Sequence, residues 1–174
     1  MDFDTPWIGF ALNNAYANRT LYGALSGLSK DAFTRDVPGF FPTLAATLNH
    51  IYEVDLFYLD ALEGDGRERA YFAEKAPVYD VAALGELQAG ADMRLAMFCQ
   101  KIDEAALARV VVMDRPGGPV QETVGGILPH LIQHQIHHRG QAHVQMSALG
   151  IAPPQLDEFF LNYDRAELAK MYFG

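Results

Sequence analysis

The stretch from Phe40 to Leu62 constrains the fold more than any other part of the chain. Phe41, Leu44, Leu48, Ile51, Tyr58 and Leu62 recur at intervals that place them on one side of a helix. Such a helix needs other helices to cover that side. Three further segments carry the same period. One runs from Pro6 to Leu25, with Thr5 as its cap and Pro6 in its first turn. Another runs from Val81 to Ile102, with Leu84, Leu87, Ala91, Leu95, Phe98 and Ile102 on one face. The last runs from Thr123 or Gly126 to Leu149, with Gly150 as its stop and Pro129 close enough to its start to delay it.

The connections are informative too. "EGDG" ends the second segment at Glu63–Gly66, and the chain to Asp80 is too long for a tight turn. The run Val110–Val112, the turn "DRPGG" and "PVQE" suggest a small β-hairpin before the last helix. A short helix is expected from Ser29 and another in the last ten residues. The expected fold is all-α: residues 1–174 as a single domain, a four-helix bundle with a long crossover between helices two and three.

Composition narrows the function. Asp and Glu outnumber Lys and Arg by 22 to 13, for a formal charge of −9. That balance, with no basic run, opposes binding to nucleic acid or to an anionic membrane surface. No apolar run approaches the roughly 18 residues of a membrane span. Cys99 stands alone and is read as a buried, inert thiol, which suits a reducing compartment. The opening "MDFDTPW" lacks the pattern of a secretory signal, so a cytoplasmic location is expected.

Five of the six histidines fall in "HLIQHQIHHRGQAH", residues 130–143. On a helix, His130, His134 and His138 form a row, whereas His143 points elsewhere. Histidines four apart can reach one metal ion, as in HExxH proteases, but "HQIHH" lacks the glutamate of that motif. A catalytic metal site usually takes three protein ligands. His50, the one histidine outside the cluster, is the third candidate. It shares a side with Thr43, Thr47 and Glu53, a pattern of a solvated histidine or of one lining a half-open pocket beside Val54 and Phe57. Ordinary bundle histidines are the plainer alternative. Asp55 projects from the apolar stripe and needs a partner, and Arg139 is the natural one. Tyr16, Tyr52, Phe57 and Tyr58 read as core, and Trp7 as packing on the bundle or on a dimer partner.

Several pieces together resemble the DinB family of DinB/YfiT-like metalloenzymes: "NNAYANRTLYGALSGLS", "GFFPTLAATLNHIYEVDLFYL", "HLIQHQIHHRGQAHVQMSALG" and "PPQLDEFFL". The resemblance implies a four-helix bundle with a crossover, a homodimer, and a divalent ion held by His50, His134 and His138, with water at the remaining positions. It further implies thiol S-transferase chemistry using a low-molecular-weight thiol such as mycothiol or bacillithiol, or a thiol-linked isomerase reaction. Zn and Ni both suit nitrogen ligands. Gln141 and Glu53 are candidates to orient the rings, and Arg139 could instead attract an anionic thiol. The competing readings are a non-catalytic metal-binding or stress-response bundle and a metal-free helical dimer.

Overall fold

The computed structural model describes residues 5–64, 72, 74–161 and 167–172. Four long helices dominate: α1 (Pro6–Ala24), α3 (Leu44–Glu63), α4 (Val81–Gln100) and α6 (Val124–Ala148). Among the described residues, three short ones accompany them: α2 (Lys30–Phe33), α5 (Glu104–Ala108) and α7 (Glu167–Lys170). Strands β1 (Val110–Met113) and β2 (Val120–Thr123) form the expected antiparallel hairpin, with Val110 opposite Thr123 and Met113 opposite Val120. Val111 and Met113 turn inward and are buried. No helix among the described residues is long and apolar enough to cross a membrane.

Side-chain caps define where these helices begin. Ser29, Thr43, Asp80, Asp103 and Thr123 each accept a hydrogen bond from the backbone N–H three residues on. Each such cap is worth about 1 kcal/mol. Thr5 takes the extended cap conformation, but its hydroxyl makes no capping bond. The Thr43 cap corrects the expected start at Phe40. Phe41 precedes Pro42, which disfavours a helical conformation there, so α3 starts at Leu44 and Phe41 lies outside it. Pro129 does not delay α6, which begins at Val124, ahead of the proline. The short helix α5, capped by Asp103, was not expected. The connection expected to cross the molecule falls largely on residues 65–71 and 73, outside the described residues.

Helix α1 packs along α4, and α3 along α6; α3 also meets α4, and α1 meets α6. The core between them has three levels. One apolar cluster includes Leu59 of α3, Leu95 of α4 and Leu128 of α6. A second includes Leu21 of α1, Leu48 of α3, Leu84 of α4 and Met146 of α6. Between these levels lie buried polar side chains from all four helices: Asn14, Asn18, Asp55, Gln88, Asp92, Gln135 and Arg139.

This polar layer corrects two expectations. Asp55 does not pair directly with Arg139. Gln135 stands between them, donating through Nε2 to Asp55 and accepting from Arg139 Nη1 at 2.9 Å. The second acid of the layer, Asp92, accepts from Asn14 (3.0 Å), Asn18 (2.9 Å) and Gln88 (3.1 Å). Asn14 and Asn18 in turn accept from Arg139 Nη1 at 2.5 and 2.9 Å. Gln88 also donates to Asp55 at 2.7 Å. The buried face of α4 is therefore rotated from the expected one. Gln88 and Asp92 point inward, whereas Leu87 is 42% exposed.

Burial sets the charge states in this layer. It pushes Asp92 up to about 6, against the opposing pull of its amide donors and Arg139. Burial, and then the charge of Asp92, raise Asp55 well above the usual carboxylate range. Burial lowers Arg139 to about 10. The layer thus sets the Arg139 cation beside two acids whose charged forms burial disfavours, Asp55 and Asp92. Replacing Asp92 by Ala leaves the cation without its anion, which should cost about 3–5 kcal/mol. Leu87→Ala should change stability by no more than about 0.5 kcal/mol. Urea unfolding of both variants checks this; similar losses from the two would contradict the assigned orientation of α4.

Candidate metal centre

The one-turn spacing of α6 stacks His134 and His138, and α3 brings His50 to meet them. One ring nitrogen from each of the three lies within 4.8 Å of the others. His50 Nε2 and His134 Nε2 are 3.1 Å apart. Ring centroids are 4.3 Å apart for His134 and His138, and 4.6 Å for His50 and His138. Phe41 covers this group, 4.7 Å from the His50 ring and 5.8 Å from the His138 ring. It reaches this position because Pro42 and the Thr43 cap keep it out of α3. That role was missed in the sequence, although Phe-Pro-Thr before a helical run is the signal for it.

Other histidines stand outside the group. His130 packs its ring on Tyr58, 5.1 Å away, and its centroid is 6.2 Å from that of His134. His143 lines a separate cavity between α1 and α6. Arg139 lines that cavity too, and spends Nη1 on the polar layer, so it does not serve as an anchor for a thiol beside the three histidines. Cys99 is buried, as expected, and burial pushes its thiol up to about 12, which removes it as a ligand or nucleophile near neutral pH.

Gln141 orients part of the group. Its Oε1 accepts from His138 Nδ1 at 2.8 Å, which leaves His138 Nε2 unprotonated and able to donate its lone pair. Gln141 Nε2 donates to His137 Nε2 at 3.1 Å, which holds the amide in that orientation. Glu53, expected in a similar role, makes no hydrogen bond to the three histidines among the described residues. Its carboxyl is raised by burial, with Lys75 opposing. The Nδ1 of His134 is buried without a hydrogen-bond partner.

Electrostatics keeps these rings neutral. Burial, then His138, lowers His50 to about 4. Burial, then the neighbouring histidines with His138 foremost, lowers His134 to about 3. His138 is lowered by burial despite its bond to Gln141. Neutral imidazoles are the ligand form. An ion with bonds of about 2.0–2.1 Å to tetrahedral ligands holds neighbouring donors roughly 3.3 Å apart. The 3.1 Å gap between His50 and His134 is close to that value. The three residues that sequence reasoning selected meet in a group that could hold a metal ion.

Zn or Ni should raise the melting temperature, because binding to the folded state stabilises it. His134→Ala should abolish that shift. Gln141→Ala should weaken zinc binding about 10–100-fold. The pH dependence has a defined sign. In the metal-free protein the folded rings titrate below the ordinary 6.5, so their contribution to stability is complete above 6.5 and is lost as pH falls through about 4. Zinc affinity should likewise hold from pH 7 to about 5 and fall steeply near 4. A loss centred on 6.5 would show that the rings are not buried as described.

Known proteins resemble this chain in sequence and in fold. The profile of the DinB family matches residues 7–167. "Protein DinB" of Bacillus subtilis (strain 168) is 23% identical over 150 residues, covering 83% of this chain and 86% of that protein. Among solved structures, a DinB-like protein from Bacillus cereus ATCC 10987 superposes with a TM-score of 0.61 at 18% identity, over 80% of this chain and 90% of that one. A DinB-like protein (YjoA) from Bacillus subtilis superposes with a TM-score of 0.64 at 15% identity, over 87% and 98%. The two structures share the fold. With the profile spanning nearly the whole sequence, the chain belongs to the DinB family.

Proposed function

We propose that this protein holds a divalent ion, Zn or Ni, on His50, His134 and His138 and uses it in a thiol S-transferase reaction. The observation that carries the reading is the meeting of three neutral imidazoles from α3 and α6, His138 buried and His50 and His134 half-buried. A bound divalent ion supplies Lewis acidity, lowering the pKa of a thiol or water beside it. The protein's own contribution is positional. Three uncharged ligands leave the ion its full charge, Gln141 fixes the His138 ring, and Phe41 shields one side from water. In the reaction a cellular thiol gives up its proton, and its sulfur bonds to an electrophilic carbon as that carbon's leaving group departs.

The architecture belongs to the same reading. The order of the levels supports a four-helix bundle with a crossover. Along α3 and α4 the chain passes from the Leu48–Leu84 cluster, through the polar layer, to the Leu59–Leu95 cluster; α1 and α6 pass the other way. Helices α3 and α4 thus run parallel. We extend the reading to a cytoplasmic homodimer, which sedimentation in solution would test.

A second reading has one observation in its favour. Among the described residues, no carboxylate hydrogen-bonds to the three imidazoles, which suits a metal-binding module without catalysis. The zinc- or nickel-loaded protein, incubated with mycothiol, bacillithiol or glutathione and a chromogenic electrophile, distinguishes the two. A thiol-dependent rate above background, lost in His138→Ala, is the expected result. No rate with any thiol or either metal, with His138→Ala lowering the melting temperature as much as metal removal does, would favour the non-catalytic module.

A further inference from the structure

A second cavity, of about 480 Å³, lies between α1, α6 and the segment Pro153–Asp157. At about 100° per residue, Ile136, Gly140 and His143, which line it, sit on the side of α6 opposite His134 and His138. It is therefore separate from the metal centre.

Arg139 reaches this cavity from the polar layer and is only 5% exposed. Its guanidinium is used at one end only. Nη1 donates to Asn14, Asn18 and Gln135, all neutral amides. Nε and Nη2 make no hydrogen bond among the described residues, and no carboxylate touches the group directly. The Nε–Nη2 edge is the side of a guanidinium that matches a carboxylate with two parallel bonds. Two more lining residues have unmet polar atoms: His143 Nε2 and Asn13 Oδ1 are buried without partners. Buried polar groups are ordinarily satisfied, so the free edge of Arg139 and the Nε2–H form of His143 call for an acceptor that the chain does not provide, whereas Asn13 Oδ1 calls for a donor. The remaining walls include Ala17, Ile136, Pro154 and Leu156.

From this we infer that the cavity is a binding site for a small organic carboxylate. Its oxygens meet the unused edge of Arg139, with His143 beside them, and its apolar body lies against Ile136, Pro154 and Leu156. Asp157 at the rim, bonded by Gln155, opposes a second negative charge and so favours a monoanion.

The test uses the metal-free protein, so that a carboxylate cannot be captured by the metal centre. Benzoate and its uncharged counterpart benzamide are titrated by calorimetry, with amide chemical shifts locating the site. Benzoate should bind one to one and at least tenfold more tightly than benzamide, shifting residues around His143. A side chain grown from Gly140 meets no atom within 4 Å and enters open space. Gly140→Leu should weaken benzoate at least tenfold while preserving the melting temperature and zinc binding. Asp157→Asn should tighten benzoate severalfold. Equal affinity for benzamide, indifference to Gly140→Leu, or benzoate binding only when zinc is present would each overturn the inference.

Discussion

The layer of buried polar side chains around Arg139 fixes how the four long helices meet, and the histidine site depends on that register. On α6, Gln135 and Arg139 each follow a site histidine, His134 and His138, by one residue. Locking the first pair into bonds with α1 and α3 therefore sets the rotation of the second. On α3, Asp55 is held by Gln88 and Gln135 five residues beyond His50. A one-turn slip of α6 would break the contacts of Arg139 with Asn14 and Asn18 and, in the same motion, carry His134 past His50. Burying a cation and two acids is costly. The amides reduce that cost by relaying contact between charges that do not touch, and the apolar clusters on either side account for the rest of the packing.

The same burial that strains the polar layer suits the metal centre. An isolated imidazole near neutral pH is partly protonated, and three close together would repel one another when charged. Here the low-dielectric surroundings and mutual repulsion lower His50 to about 4 and His134 to about 3. The rings are thus in ligand form before an ion arrives. Orientation is uneven. Gln141 fixes the tautomer of His138, whereas His134 Nδ1 has no partner to fix its own.

Much of this was legible in the sequence. The four long helices follow from apolar periodicity, and the hairpin from the β-branched run before "DRPGG". The histidine trio was legible because i, i+4 spacing is a statement about helix geometry, and His50 was the one histidine left over. Long-range polar chemistry was not. Periodicity counts Gln88 and Asp92 as surface and Leu87 as core, because it cannot register that amides on α1 and a guanidinium on α6 wait for that carboxylate. Asp55 was recognised as buried, but the mediation of Gln135 depends on side-chain reach between helices. The position of Phe41 depended on local backbone chemistry at Pro42, which outweighed its fit to the apolar stripe.

The claim that three imidazoles from two helices share one ion is tested most directly by X-ray absorption fine structure of the zinc-loaded protein at pH 7. The account predicts three imidazole nitrogens at about 2.0–2.1 Å, and two in His50→Ala. A coordination shell with one or two imidazoles that His50→Ala leaves unchanged would contradict it.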